Sequence, residues 1–326
     1  MEYNSKIVIL GAGGLIGSEI VKCLEGDGYT NVVACRHNDL DLIDQASVNR
    51  YFEKYKPEYV FFCAVRSVTD FESGECIDAV ELYSNLMMQM NVMEAARVNS
   101  VKKAVFLGSA MLYPWNYDHE DDLLKEEFLE DFKINQYRET MKSTVLSKFT
   151  CMKLCQYYYG QYGCKYIYAI PTHIYGQLTG RKNLYFLENL VIDLCDAKMY
   201  EKKEIFLDIF GEGVAKKQIL HVNDCAKALI TLMIAHEDYS EPVNVGTEDY
   251  ESWSDIVEKI CNIIDYHGKI RFNSERRERL ENRLCDIKKL TTKGWKPQIN
   301  MEEGLKGLCE EYFTMKRGQT NAQKGL

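Results

Sequence analysis

Lys6-Ile7-Val8-Ile9-Leu10-Gly11-Ala12-Gly13-Gly14-Leu15-Ile16-Gly17 is the stretch that decides how this chain folds. Its first half is an apolar, β-branched run of strand length. Its second half is a glycine turn that passes directly into Ser18-Glu19-Ile20-Val21-Lys22-Cys23-Leu24, which repeats at helical spacing. Strand, glycine turn and helix in that order predict a backbone that cradles a pyrophosphate. Gly11 allows the tight turn, Gly14 lets phosphates approach the backbone, and Gly17 lets the helix lie close to the sheet. The first helical amides, those of Leu15 and Ile16, have no partner within a helix, and the dipole is positive there. Without a ligand the same residues read as a plain glycine-rich turn.

At 326 residues the chain exceeds one ordinary core and predicts one large domain or two closely associated ones. A hydrophobic content of 46% with 27% charged residues is that of a soluble globular protein. The net charge of −9 argues against a nucleic-acid partner, which calls for a basic face. No apolar run is long enough to span a bilayer, so no membrane partner is expected. Met1-Glu2-Tyr3-Asn4-Ser5 has no signal-peptide character, and the expected location is cytoplasmic. Twelve cysteines include no Cys-x-x-Cys; Cys151 and Cys155 fall on one face of a predicted helix. Buried free thiols are the expectation. None of the six histidines stands with cysteine at ligand spacing, so no metal site is expected.

Working outward, residues 31–35 read as a second strand, followed by Arg36 and His37. A carboxylate at this place accepts the ribose hydroxyls of NAD, whereas a basic group meets the extra phosphate of NADP. Arg36 and His37 therefore favour NADP, with NAD as the alternative; read blandly, they are two exposed loop residues. Asp41 and Leu42 follow, a carboxylate and an apolar side chain suited to an adenine edge and face. Helix 47–55 ends at Pro57, and 58–65 is a strongly apolar strand. A long helix is predicted over 78–99, with Leu82, Leu86, Met90, Met93 and Ala96 as its core stripe and Asn85 able to face the cofactor side. Strand 101–107 closes in Gly108-Ser109, at the strand end where open parallel sheets bind ligands. The acidic stretch 115–136 reads as a solvated loop with a helical turn. Helix 143–162 and strand 165–170, broken at Pro171, follow. Beyond, helices over 184–199, up to 234 and over 254–264 mix with short strands at 205–210, 242–246 and 269–272. The Gly-, Gln- and Asn-rich tail from Arg317 reads as frayed.

The alternation predicts an α/β fold: a doubly wound parallel sheet with a smaller α+β C-terminal substrate lobe. The expected boundaries are 1–176 for the dinucleotide-binding domain, with 211–240 returning to it, and 177–326 mainly for the substrate lobe.

The landmarks together resemble the extended short-chain dehydrogenase/reductases, the NAD-dependent epimerase/dehydratase family, in its nucleotide-sugar branch. They are Gly11-x-x-Gly14-x-x-Gly17, Asp41-Leu42, Phe106-Leu107-Gly108-Ser109 with Tyr113-Pro114, and Lys148 followed by Met152-Lys153-Leu154-Cys155. Pro171-Thr172-x-x-Tyr175-Gly176, and Gly211-x-Gly213 before His221-Val222-x-Asp224, complete the set over roughly residues 5–235. The resemblance implies a Rossmann sheet, a nicotinamide cofactor and a GDP-linked 4-keto or 4-hydroxy sugar used in polysaccharide or glycoconjugate synthesis. It also implies a homodimer joined by a four-helix contact, from helices 78–99 and 143–162. It assigns Lys148, Ala64, Val65, Pro171 and His173 to the cofactor.

The resemblance further implies a Tyr-x-x-x-Lys pair, one helical turn apart, in which tyrosine moves the proton at the sugar O4 and a serine holds that oxygen. Lys148 and Ser109 match the lysine and serine; Thr144 stands where tyrosine is expected. A phenol titrates near pH ~10 and a nearby cation lowers that, whereas an aliphatic hydroxyl is a poor base. Tyr113, from the Ser109 loop, is the alternative proton source. Among the implied substrate positions, Met111 replaces the cysteine acid/base of epimerisation, Tyr185 falls near a histidine, and Lys217 replaces an arginine. Three readings follow: an NADP-dependent oxidoreductase, a catalytically silent dinucleotide-binding sensor or partner subunit, and a dehydratase or epimerase using a recruited carboxylate.

Overall fold

In the computed structural model, the described residues are 1–66, 78–114, 123–178, 184–235, 237, 239–273 and 284–324. The chain divides into two units. The first comprises Met1–Thr172, Cys225–Val245 and Cys285–Lys296. The second comprises His173–Asp224, Gly246–Leu284 and Pro297–Leu326. The returning segment is therefore Cys225–Val245, where the sequence suggested 211–240, and Cys285–Lys296 returns as well.

The first unit is built from β1 (Ile7–Leu10), α1 (Leu15–Gly26), β2 (Val32–Cys35), α2 (Gln45–Tyr55), β3 (Tyr59–Phe62), α3 (Asp78–Val98), β4 (Lys103–Leu107), α4 (Lys142–Tyr162) and β5 (Tyr166–Pro171). Next come β6 (His173–Tyr175), α5 (Phe186–Met199), β7 (Glu204–Phe210), β8 (Lys216–Lys217), β9 (Ile219–His221) and α6 (Val222–Ala235). The chain closes with β10 (Val243–Val245), β11 (Glu251–Ser252), α7 (Trp253–Ile264), β12 (Lys269–Asn273), α8 (Lys288–Thr291) and α9 (Met301–Lys324).

A six-stranded parallel sheet runs in the order β10-β5-β4-β3-β1-β2. All four residues of β1 are fully buried, as a strand covered on both faces requires. The chain leaves β1 toward β2 on one side and continues from β3 on the other. Their carboxyl ends thus flank a topological switch point, the place where open α/β sheets bind ligands. β5 does not break at Pro171 as expected: Pro171 stays in register with Val245, and the next amide, Thr172 N–H, donates to the Val245 carbonyl at 2.9 Å. Asp44 caps α2 by accepting the Ala46 N–H, and Lys56 closes that helix in the left-handed region.

The predicted core stripe of α3 is wrong in part. Met93 and Ala96 are buried, but Met90 is exposed, and the inward face is largely polar: Glu81, Ser84, Asn85, Gln89 and Asn91. The reason is hydrogen bonding. Asn91 Nδ2 donates to the carbonyls of Leu42 (3.0 Å) and Ile43 (2.9 Å). Asn85 exchanges two bonds with the Arg66 backbone, both 2.9 Å. The helix uses buried amides to pin two loops at the carboxyl edge of the sheet, and each satisfied bond is worth about 1 kcal/mol net.

In the second unit, α5, α7 and α9 share one core, with Leu190, Leu194, Ile256, Ile260, Leu305, Leu308 and Tyr312 within it. β12 pairs parallel with β7, and a Ser252–Asp255 capping box starts α7. The tail expected to fray is helical through Lys324: once α9 is nucleated by its packed first turns, each further residue adds a bond at little cost.

Candidate active site

The glycine turn is shaped as its chemistry demands. Gly11 has φ +89°, and a Cβ there would lie 2.7 Å from the Ala64 nitrogen at the end of β3. A Cβ on Gly17 would lie 2.3 Å from the Gly11 carbonyl oxygen. Gly14 meets nothing closer than 3.4 Å, so its missing side chain serves open space in front of the turn rather than packing. It is also the N-cap of α1, with no side chain on the first-turn amides, those of Leu15, Ile16 and Gly17. Amides left uncapped, a positive helix end and an open glycine fit the phosphates of a dinucleotide.

Arg36 and His37 are exposed just after β2. The Arg36 side chain runs beside the turn: its Cγ lies 3.9 Å from where a Gly13 Cβ would be. Its backbone N–H donates to Asp39 Oδ2 at 2.7 Å. Asp41 is exposed and accepts the Ile43 N–H at 2.9 Å, while Leu42 packs into the core beneath this loop. Ala64 is half-buried and Val65 exposed at the end of β3.

At the end of β4, Ser109 Oγ accepts the Met111 N–H at 3.2 Å, so that bond does not commit its own hydrogen. Met111 is half-buried. Lys148 reaches from α4 and sets Nζ 3.5 Å from the Gly108 carbonyl. Burial pushes the Lys148 ammonium below the usual lysine range; the Cys151 thiol and the Glu81 carboxylate pull it back up. Tyr168 supports this pair: its hydroxyl donates to the Lys148 carbonyl at 2.8 Å, and its ring fills the space a Gly108 Cβ would occupy.

One turn before Lys148, the Thr144 hydroxyl donates to Glu81 Oε1 at 2.5 Å. Ser143 Oγ lies 3.0 Å from Glu81 Oε2 and 2.9 Å from Asp78 Oδ1. Glu81 is 4% exposed. Sequence reasoning missed Glu81, Asp78 and Ser143. The signal was present: Glu81 is one helical turn before Asn85, on the face already assigned to the cofactor side.

The Tyr113 hydroxyl, the alternative proton source, is engaged within the core. Tyr113 is fully buried, its hydroxyl donates to Asn244 Oδ1 at 2.8 Å, and burial pushes its pKa well up. It belongs to a buried hub in which Asn244 also donates its backbone N–H to Glu126 Oε1 and its amide to the carbonyls of Leu124 and Asp286. Tyr137 hydrogen-bonds the Leu112 carbonyl, and Tyr157 is exposed.

Pro171 is buried at the end of β5. His173, Tyr185 and Lys217 belong to the second unit, on β6, just before α5 and on β8; His173 and Tyr185 are exposed, Lys217 half-buried. A cavity of about 460 Å³ in that unit, lined in part by Gln177, His221, Glu303 and Glu311, contains none of the assigned residues. Among the described residues no group of three or more His, Cys, Asp or Glu is placed to hold a metal ion. Residues 115–122 of the acidic stretch lie outside the described residues; the rest forms short 3-10 turns. Among the described residues no helix is long and apolar enough to cross a membrane.

The family model of the NAD dependent epimerase/dehydratase family matches residues 7–246. The chain is 30% identical over 315 residues to the putative GDP-L-fucose synthase 2 of Arabidopsis thaliana, covering 96% of this chain and 93% of that one. It is 31% identical over 310 residues to the probable GDP-L-fucose synthase 1 of Oryza sativa subsp. japonica, covering 93% and 90%. Among solved structures it is similar to MlghC, the GDP-mannoheptose C4 reductase of Campylobacter jejuni with NADP bound. The TM-score is 0.84 at 29% identity, over 96% of this chain and 99% of that one. With that family model matched over residues 7–246, a span that begins at β1 and its glycine turn, the chain belongs to the NAD dependent epimerase/dehydratase family.

Proposed function

We propose that this protein is an NADP-dependent reductase of a GDP-linked 4-keto sugar in polysaccharide or glycoconjugate synthesis, acting without C3/C5 epimerisation. The observation that carries this reading is Lys148 Nζ, 3.5 Å from the Gly108 carbonyl beside Ser109, in the unit that holds the uncapped glycine turn. The names of its relatives, GDP-fucose synthases and a GDP-heptose C4 reductase with NADP bound, support the substrate and cofactor.

The reduced nicotinamide supplies a hydride to the ketone carbon when bound. The chain's own residues do the rest. Gly11, Gly14, Leu15, Ile16 and Gly17 hold the pyrophosphate, and Arg36 with His37 meets the additional phosphate. Asp41, Leu42, Ala64, Val65, Pro171 and His173 complete the assigned cofactor contacts. Lys148 holds the nicotinamide ribose and stabilises negative charge developing on O4, and Ser109 donates to that oxygen. Met111, Tyr185 and Lys217 are the assigned substrate contacts. A thioether exchanges no proton, so Met111 leaves epimerisation without an acid/base at that position.

The exposed apolar side chains Val80, Tyr83, Met90 and Val98 fall on one stripe of α3, which packs against α4. We assign this stripe to a homodimer contact through α3 and α4 of two copies. The eleven described cysteines are all free thiols, which suits the cytoplasmic setting we assign.

A panel of GDP-, UDP-, CDP- and dTDP-4-keto sugars, assayed with NADPH, tests the reading. NADPH oxidation with GDP-linked substrates is expected, and reduction at C4 with unchanged C3 and C5 configuration. A protein that binds NADPH and reduces none of them is the silent relative, the reading favoured by Thr144, Met111 and Tyr185 standing together where tyrosine, cysteine and histidine are implied.

A further inference from the structure

Thr144 has one hydroxyl hydrogen, and the structure shows it given to Glu81. In that state Thr144 offers a ligand only lone pairs. It becomes a donor toward substrate only if Glu81 returns a proton to it. Glu81 is in turn bonded to Ser143, and Ser143 to Asp78, so the hydrogen bonds run without a gap from Thr144 to Asp78. Asp78 lies in the first turn of α3 and is partly exposed, so this chain of bonds reaches water. Two charged groups lie near Glu81: Asp78 on its own helix, joined to it through Ser143, and Lys148 on α4, whose ammonium the Glu81 carboxylate favours.

We propose that Glu81, acting through the Thr144 hydroxyl, is the proton relay that stands in for the missing tyrosine, and that Ser143 and Asp78 connect it to solvent. The proposal rests on the reductase reading above and supplies the proton source it lacks. In the reducing direction the ketone carbon takes a hydride from the reduced nicotinamide and its C=O π bond breaks. The oxygen takes the Thr144 hydroxyl proton as that hydroxyl takes one from the Glu81 carboxyl. Glu81 is left as a carboxylate and recovers its proton from water through Ser143 and Asp78. The sum is ketone, reduced dinucleotide and one proton giving alcohol and oxidised dinucleotide. In reverse, the Glu81 carboxylate accepts through Thr144 the proton of the sugar hydroxyl. Glutamine at position 81 keeps the hydrogen bond to Thr144 but holds no transferable proton, and valine at 144 cuts the relay with little change of shape.

Two readouts test this on the full-length chain. Calorimetric titration with NADPH in two buffers of different ionisation enthalpy counts protons exchanged on binding, from about pH 5 to 9. The parent is expected to exchange protons, and Glu81→Gln to exchange fewer, keeping only the share that Lys148 contributes, while retaining affinity within about threefold. Steady-state reduction of the GDP-4-keto sugar that the parent turns over is expected to fall about 100-fold in kcat for Glu81→Gln and Thr144→Val. KM should change little, the pH dependence of the parent should flatten, and Glu81→Asp should restore part of the rate. Thr144→Val also guards against a misfolded Glu81→Gln. The relay is overturned if Glu81→Gln exchanges as many protons as the parent, or turns over within about threefold of it with the same pH profile. A parent that binds NADPH but reduces no sugar defeats the reductase reading, and proton exchange alone then decides on the relay.

Discussion

Two residues one helical turn apart, Thr144 and Lys148, carry the proposed chemistry; the sequence pointed to both, but only for Lys148 did it also point to the surroundings. Lysine was legible because Lys148 followed by Met152-Lys153-Leu154-Cys155 fits the family pattern. The consequence of threonine was not, because its partner Glu81 lies 63 positions earlier in the chain. Lys148→Met should weaken NADPH binding at least about tenfold, by loss of a charge-assisted contact of about 1.5–3 kcal/mol, measurable by fluorescence titration. In the parent, affinity should be full on the acid side and fall as pH rises. The fall should begin below the ordinary lysine pKa of about 10.4, because burial lowers that of Lys148. The glycines separate two roles. Gly14→Ala should leave the fold intact, since its Cβ meets nothing under 3.4 Å, yet weaken dinucleotide binding. Gly17→Ala places a Cβ 2.3 Å from a backbone oxygen and should lower stability by about 1–3 kcal/mol in urea denaturation as well.

Among elements, the strands were the most legible. β1, β3, β4 and β5 lie inside the predicted runs, apart from Pro171 at the end of β5, because a doubly covered strand must be apolar throughout. α3 was found with nearly correct ends and a core face only partly right. Hydrophobic periodicity assumes that the inward stripe is apolar, and Asn85 and Asn91 face inward because loop carbonyls and amides await them. The same logic governs β10, where Asn244 is fully buried and bonded to Tyr113, Leu124, Glu126 and Asp286. Asn244→Ala removes three of these bonds and leaves buried groups unsatisfied. It should cost about 3 kcal/mol or more, read as a lower urea midpoint.

For the whole molecule, the first half of the chain reveals its sheet, and in the second unit the predicted runs 184–199, 205–210, 254–264 and 269–272 fall on α5, β7, α7 and β12, while α9 needed the structure. α9 went unread although Met301, Leu305, Leu308 and Tyr312 keep helical spacing, because the residues between them are largely charged and Gly304 and Gly307 interrupt the run. The apolar stripe on α3 makes a prediction at this scale. Tyr83→Glu with Met90→Glu should convert the proposed dimer to single chains by light scattering, with NADPH affinity unchanged, since both side chains are exposed on α3. A parent that is already a single chain overturns that assignment.

The Tyr168 ring fills the place of a Gly108 side chain while its hydroxyl holds the Lys148 backbone. These positions form an inheritance unit. Alanine at 108 is tolerated only once the ring at 168 is trimmed, and trimming the ring loosens the turn that carries the ammonium. Lineages that diverge from this sequence should therefore keep both residues or exchange both.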